Sequence, residues 1–173
     1  MLTPEQEKWI AHLSDTDKIK IVPFDPKSQE EFEKIRSLIQ SKIGLTVRVL
    51  HRGASYLGIS GQNEIDIYVP VQESLFDSFI VKLSYLFGKP HRIYPLERAR
   101  FNAPANGIRI DIHLINEKRD NWLNSEKFEN YLKTHQEALE EYRLLKEAGD
   151  GLSVREYYRQ KLEFINDILA KTA

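Results

Sequence analysis

The sequence contains no cysteine, and this absence excludes several kinds of site. Such a chain forms no disulfide, thiol nucleophile or thiolate metal site, and its composition agrees with a reducing compartment. The sequence also lacks a long apolar run and an amino-terminal signal-like segment, so we expect neither a membrane span nor export. Its formal net charge is −1, which indicates no general attraction to nucleic acid or membranes. We therefore expect a cytoplasmic protein that does not bind membranes.

The length and hydrophobic pattern predict one folded domain over residues 1–173. Residues 18–120 alternate between strand-like and helix-like patterns, which is typical of an α/β core. Residues from about 121 to 173 have a helical pattern throughout. The predicted fold class is therefore α/β (α+β), with a mixed β-sheet flanked by helices and a C-terminal helical segment.

Hydrophobic periodicity and turn residues predict the order of the elements. Helices are predicted after Thr3, over residues 28–43 and 71–87, and repeatedly after residue 124. Strands are predicted over residues 46–50, 64–69, 91–94, 97–102 and 108–115. Pro70 is expected to end the second of these strands, because proline has no N–H group to donate to a neighbouring strand.

Acidic residues on two predicted strands indicate a metal site. Strand alternation places Glu64 and Asp66 on one face, roughly 6.6 Å apart along the backbone, where two carboxylates repel unless they share a cation. The later strand carries Arg109, Asp111 and His113 on one of its faces. If the two strands pair, Asp111 lies about 5 to 8 Å from the other two carboxylates. Three oxygen-donating carboxylates predict Mg²⁺ or Mn²⁺, and a neutral imidazole of His113 is a candidate further ligand.

Small residues precede the first acidic strand and predict a loop. Gly53, Gly58 and Gly61 allow backbone N–H groups to approach a phosphate closely, and Ser55 adds a hydroxyl donor. The simpler interpretation is that the glycines form ordinary turns and that the two acids lie on the solvated face of an edge strand. The loop leads directly into the acidic strand, and a further acid, Asp111, lies on a second strand. This combination favours a site over that interpretation.

Several segments share residues with one known family. In and after the loop, the matching residues are His51, Gly53, Ser55, Gly58, Ile59 and Asp66. Other matching segments are 21–26, 128–137, 142–146 and 157–165. The sequence resembles the GrpB family of the nucleotidyltransferase superfamily, whose members have the DNA polymerase beta type of fold. The resemblance implies cofactor-binding roles for His51, Gly53, Ser55 and Lys161.

The resemblance also implies an enzyme that depends on a metal and moves a nucleoside monophosphate from a nucleoside triphosphate to an unknown acceptor. In this interpretation Glu64 and Asp66 hold Mg²⁺ against the phosphates. Asp111 completes a second metal site or acts as general base on the acceptor hydroxyl, so Asp66 and Asp111 are the expected catalytic residues. Gly53 and Ser55 hold the terminal phosphates.

Two other functions stay open at this point. The first is a non-catalytic protein of the same fold that binds a nucleotide or another phosphorylated metabolite. Two departures from the family pattern favour it: Ala54 replaces a serine, and Gln62 replaces a lysine. The second is a protein-interaction domain that binds its partner through the C-terminal helices.

Overall fold

A five-stranded mixed sheet carries most of the residues singled out above. The computed structural model describes residues 1–103 and 107–172. The strands are β1 (Leu50–Arg52), β2 (Glu64–Val71), β3 (Arg92–Tyr94), β4 (Arg98–Ala103) and β5 (Arg109–Asn116). They lie in the order β1-β2-β5-β4-β3, with β2 and β5 parallel and the other neighbours antiparallel. The predicted α/β fold class with a mixed sheet is therefore confirmed.

Seven α-helices occur in the described residues. They are α1 (Pro4–Ala11), α2 (Lys27–Ile43), α3 (Gly53–Leu57), α4 (Phe76–Phe87), α5 (Asp120–Thr134), α6 (Gln136–Ala148) and α7 (Val154–Lys171). The predicted start of α1 is confirmed, since the Thr3 side chain accepts a hydrogen bond from the Gln6 backbone and completes a capping box. No helix within residues 1–103 and 107–172 combines the length and the apolar character needed to cross a bilayer.

The chain divides into two compact units. The first comprises residues 1–23, 60–62 and 124–173, and the second comprises residues 24–59 and 63–123. The second unit holds the whole sheet with α2, α3 and α4, whereas the first holds α1, α6, α7 and most of α5. The single domain expected from the chain length stays a prediction.

In the second unit, alternation along the strands separates an apolar face from a polar face. The apolar face includes Ile65, Ile67, Phe101, Ile110, Ile112 and Leu114, each at most 1% exposed. Helices α2 and α4 cover this face with Phe32, Ile39, Phe76, Phe79 and Leu83. Burial of this surface stabilises the sheet by about 25 cal/mol for each Å² removed from water. The polar residues of β2 and β5 consequently share the opposite face.

In the first unit, α7 packs against both α1 and α6. Aromatic rings join these helices to α5: the Tyr142 centroid lies 5.2 Å from that of Phe128 and 5.3 Å from that of Phe164. Lys146 is 4% exposed, and its Nζ donates to the Tyr157 hydroxyl over 3.2 Å. The first unit therefore has its own apolar core.

Three local predictions were wrong. Strand β2 continues through Pro70, which pairs with Ile115 of β5. This proline is tolerated because β1 begins opposite Tyr68, so only β5 flanks β2 at that point. The strand predicted over residues 46–50 begins only at residue 50 and continues to residue 52. The predicted glycine loop contains α3, because Gly53 and Gly58 bound a run of residues that form one helical turn.

Candidate metal site on the polar face of the sheet

The parallel register of β2 and β5 aligns the acidic residues. Asp66 lies directly beside Asp111, and Glu64 lies beside Arg109. Partners in register point to the same face of a sheet, so these side chains all belong to the polar face. The pairing on which the predicted metal site depended is therefore present.

Asp66, Asp111 and His113 each offer one metal-ligating atom, and these atoms all lie within 4.8 Å of one another. Nε2 of His113 is 3.2 Å from Oδ1 of Asp66. In an octahedral complex with bonds of about 2.1 Å, adjacent ligand atoms are about 3 Å apart and opposite ones about 4.2 Å. The separations within the cluster are of this order, so modest side-chain movements would bring all three atoms onto one divalent cation. The residues fit a metal ion.

His113 belongs to this cluster more clearly than the sequence indicated. Its ring stacks on Tyr68 with 4.5 Å between the centroids, which restricts its rotation. First-row transition metals accept an imidazole ligand more readily than Mg²⁺ does, since Mg²⁺ strongly prefers oxygen. The strand alternation that places His113 two residues after Asp111 was the signal available in the sequence.

Glu64 lies on the polar face but outside the three-residue cluster. Arg109 forms an ion pair with Glu64, and its Nε also lies 3.2 Å from Oδ2 of Asp111. Asn102 donates a hydrogen bond to Oδ1 of Asp111, and Arg100 lies 3.9 Å from Oδ2. Both oxygen atoms of the buried Asp111 carboxylate therefore have polar partners that fix its orientation. The metal-binding role of Glu64 stays a prediction.

Gly53 lies against the candidate site. Its φ angle is +76°, and a Cβ atom at this position would come within 2.6 Å of Oδ2 of Asp66. Glycine is required here both by the backbone conformation and by the closeness of the carboxylate. The predicted phosphate-binding residue thus directly contacts a candidate metal ligand.

The other two predicted cofactor-binding residues of this unit, His51 and Ser55, bind each other. Nε2 of His51 lies 2.9 Å from Oγ of Ser55, and Nδ1 lies 3.1 Å from the amide oxygen of Gln29. Because an amide oxygen only accepts, Nδ1 carries the hydrogen and Nε2 accepts from the Ser55 hydroxyl. Burial lowers the pKa of His51 to about 4, although the charge of Asp66 opposes the shift. The neutral His51 therefore orients Ser55.

Lys161, the remaining predicted cofactor-binding residue, lies on α7 in the first unit. Its Nζ is 5.3 Å from the centroid of the Tyr158 ring, a cation–π arrangement. The three residues of the cluster, together with Gly53, His51 and Ser55, all belong to the second unit. The cofactor-binding role of Lys161 stays a prediction.

The sheet and its polar face define an α/β protein with a candidate divalent-cation site on two parallel strands. The sequence profile of the GrpB protein family matches residues 18–171. The chain therefore belongs to the GrpB family, as its motifs predicted. Comparison with curated proteins gives no match.

The solved structures that align with this chain include the following two. The crystal structure of conserved protein GrpB from Enterococcus faecalis has a TM-score of 0.67 and 18% identity, covering 88% of this chain and 98% of that one. At this identity the likeness shows the shared fold alone. A ternary complex of polymerase beta from Leishmania infantum aligns with a TM-score of 0.38 and 14% identity, covering 79% of this chain and 63% of that one. That score is too low to carry an argument about fold or function.

Proposed function

We propose that this protein binds Mg²⁺ or Mn²⁺ together with a nucleoside triphosphate and transfers the nucleoside monophosphate to an acceptor. The observation that supports the proposal is the cluster of Asp66, Asp111 and His113, whose ligating atoms lie within 4.8 Å of one another. When bound, a divalent cation supplies positive charge that orients phosphate oxygens and stabilises the charge that develops on them. The nitrogen of His113 favours Mn²⁺ over Mg²⁺.

The residues around the cluster have complementary roles in this proposal. Asp66 and Asp111 provide oxygen ligands, and Asn102 fixes the orientation of the Asp111 carboxylate. The side chains of Arg100 and Arg109 are about half exposed, 47% and 53%, so their guanidinium groups remain accessible to the phosphates of a ligand. In this way the site would combine metal ligands and phosphate ligands on one rigid sheet.

A second candidate function is binding of a nucleotide or other phosphorylated metabolite without transfer. Two departures from the family pattern, Ala54 and Gln62, favour this function. The hydrogen bond of Ser55 favours it as well. Its hydroxyl hydrogen is directed to His51, so in this arrangement it is not donated to a phosphate. The two candidates share the metal site and differ only in turnover.

The test is isothermal titration of the protein with Mn²⁺ and with each nucleoside triphosphate, followed by an assay for released pyrophosphate in the presence of an acceptor pool. Asp66→Asn removes one ligand charge while retaining the side-chain volume. Asp77→Asn on α4 is the matched control, because Asp77 is an exposed acid outside the cluster and its substitution changes the net charge equally.

We expect Asp66→Asn to weaken Mn²⁺ binding at least tenfold and to abolish metal-dependent nucleotide binding, while Asp77→Asn behaves like the wild type. Pyrophosphate release that depends on Mn²⁺ and on Asp66 supports transfer. Nucleotide binding without pyrophosphate release selects the binding function. If neither Mn²⁺ nor any nucleotide binds to the wild-type protein, both candidates are wrong.

A further inference from the structure

Positive charge is concentrated in one segment of a chain whose net charge is −1. Between residues 88 and 110 there are five lysine or arginine residues and a single acid, Glu97. The basic residues are Lys89, Arg92, Arg98, Arg100 and Arg109. The net charge therefore conceals a local excess of positive charge, which is typical of a surface that meets an anionic partner.

Four of these arginines lie on the polar face of the sheet. Arg109 pairs with Glu64 and Asp111, and we call the other three, Arg92, Arg98 and Arg100, the arginine strip. Arg100 of β4 is in register with His113 of β5, and Arg92 of β3 is in register with Arg100. With strands about 4.8 Å apart, the strip begins about 5 Å from β5 and ends about 10 Å from it. It thus extends the polar face away from the candidate metal site towards the edge of the sheet.

The strip is an unfavourable arrangement for an isolated sheet. Arg92 and Arg100 are cross-strand partners, and like charges directly opposite each other destabilise a sheet. Arg98 lies 3.5 Å from Glu97 and Arg100 lies 3.9 Å from Asp111, which offsets part of their charge, but both arginine side chains are still 47% exposed. Arg92 is also exposed and forms no ion pair with residues 1–103 or 107–172. Phosphate groups on a partner would neutralise this repulsion through charge-assisted hydrogen bonds.

An exposed aromatic ring adjoins the strip. Tyr94 is 38% exposed and is in register with Arg98. The guanidinium carbon of Arg98 lies 4.4 Å from the centroid of the Tyr94 ring, so the two planar groups form one stacking surface. Proteins that bind single-stranded nucleic acid combine a positively charged track for the backbone with aromatic side chains on which bases stack.

We propose that the arginine strip and Tyr94 bind single-stranded nucleic acid, with the arginines contacting phosphates and Tyr94 stacking on a base. Both RNA and DNA offer this chemistry, and a labelled strand of each distinguishes them. Each arginine contacts at most one or two phosphates, so a strand of about eight nucleotides spans the strip within the site sizes known for such surfaces. This inference goes beyond the proposed nucleotide transfer and does not require it.

The experiment measures fluorescence anisotropy of labelled eight-nucleotide RNA and DNA strands with the full chain. The test variant is R92Q/R98Q/R100Q. The matched control is R36Q/K42Q/K82Q, which removes the same charge from α2 and α4, the helices on the other face of the sheet. Unfolding in urea verifies that both variants are folded.

We expect the strip variant to bind at least tenfold more weakly than the control, and the slope of log affinity against log salt to decrease by about 2 for three lost phosphate contacts. Tyr94→Ala should weaken binding of the strands several-fold while leaving binding of inorganic polyphosphate unchanged. Equal weakening in the strip and control variants would overturn the proposal. The proposal would also be overturned if polyphosphate of equal charge displaced the labelled strands as effectively as unlabelled strands do. That result would indicate a surface that binds any polyanion.

Discussion

At the scale of single residues, Gly53 determines whether Asp66 can hold its position. In Gly53→Ala, the new Cβ atom would meet Oδ2 of Asp66 at 2.6 Å, and the φ angle of +76° would strain any residue other than glycine. We expect a loss of about 1 to 2 kcal/mol in the free energy of unfolding from the backbone conformation. We also expect at least tenfold weaker Mn²⁺ binding, because the carboxylate must move. Urea unfolding and calorimetric titration measure the two effects.

Gly58→Ala is the matched control for this prediction. Gly58 has a similar φ angle of +70°, but a Cβ atom there would meet nothing within 4 Å. The substitution should therefore reduce stability to a similar extent and leave Mn²⁺ binding unchanged. If both variants lose Mn²⁺ binding equally, the contact between Gly53 and Asp66 does not govern the site.

His51 should make stability depend on pH. Burial lowers its pKa from 6.5 to about 4, so below pH 6.5 the unfolded chain takes up a proton that the folded protein does not. The free energy of unfolding should therefore be highest above pH 6.5 and should decrease as the pH falls towards 4. We expect His51 to contribute about 1 to 2 kcal/mol of this decrease, since solvent screening reduces the full effect of the shift.

Urea unfolding between pH 7.5 and pH 4 measures this dependence. Carboxylates titrate in the lower part of the same range, so the comparison is with His51→Gln, which removes only the contribution of the imidazole. We expect a shallower pH dependence in the variant, whatever its absolute stability. Identical curves for the two proteins would mean that burial does not disfavour the charged form of His51.

At the scale of elements, the alternation of polar and apolar residues predicted the strands of the candidate site. The ends of these strands depended on the adjacent strands of the sheet, which a local sequence pattern does not reveal. The strict alternation from Glu64 to Ile67 and from Arg109 to Leu114 was sufficient to predict two half-buried strands with their acids on one face. Pro70 did not end β2, because β1 begins only opposite Tyr68 and no strand on that side needs a donor from residue 70. This depends on how the strands pair, which the sequence near Pro70 does not reveal.

The candidate site shows the same division between local and long-range information. The sequence predicted Asp66 and Asp111 as ligands, and their adjacency follows from the parallel pairing of their strands. The pairing of Arg109 with Glu64 arises from the register, since a shift of one residue would place the two side chains on opposite faces. The bond between His51 and Ser55 likewise depends on α3, a helical turn that the glycines led us to predict as a loop.

At the scale of the whole molecule, metal binding can test whether the chain is one domain. A ligand at one hundred times its dissociation constant adds about 2.7 kcal/mol to the free energy of unfolding. For a protein of this size each kcal/mol raises the melting temperature by about 2 to 4 °C, so a single domain should shift by about 5 to 11 °C in one transition. We expect this result in calorimetry with Mn²⁺, and no shift in Asp111→Asn.

The alternative to a single transition is independent unfolding of the two compact units. All three residues of the candidate metal site belong to the second unit, so a bound metal ion would act directly on that unit alone. If the units unfold independently, calorimetry shows two transitions, and Mn²⁺ raises only the one that Asp111→Asn also alters. That outcome would make the single-domain prediction wrong and would still support the candidate metal site. A shift of one common transition would instead show that the helices of the first unit unfold together with β2 and β5, so that metal binding stabilises both units.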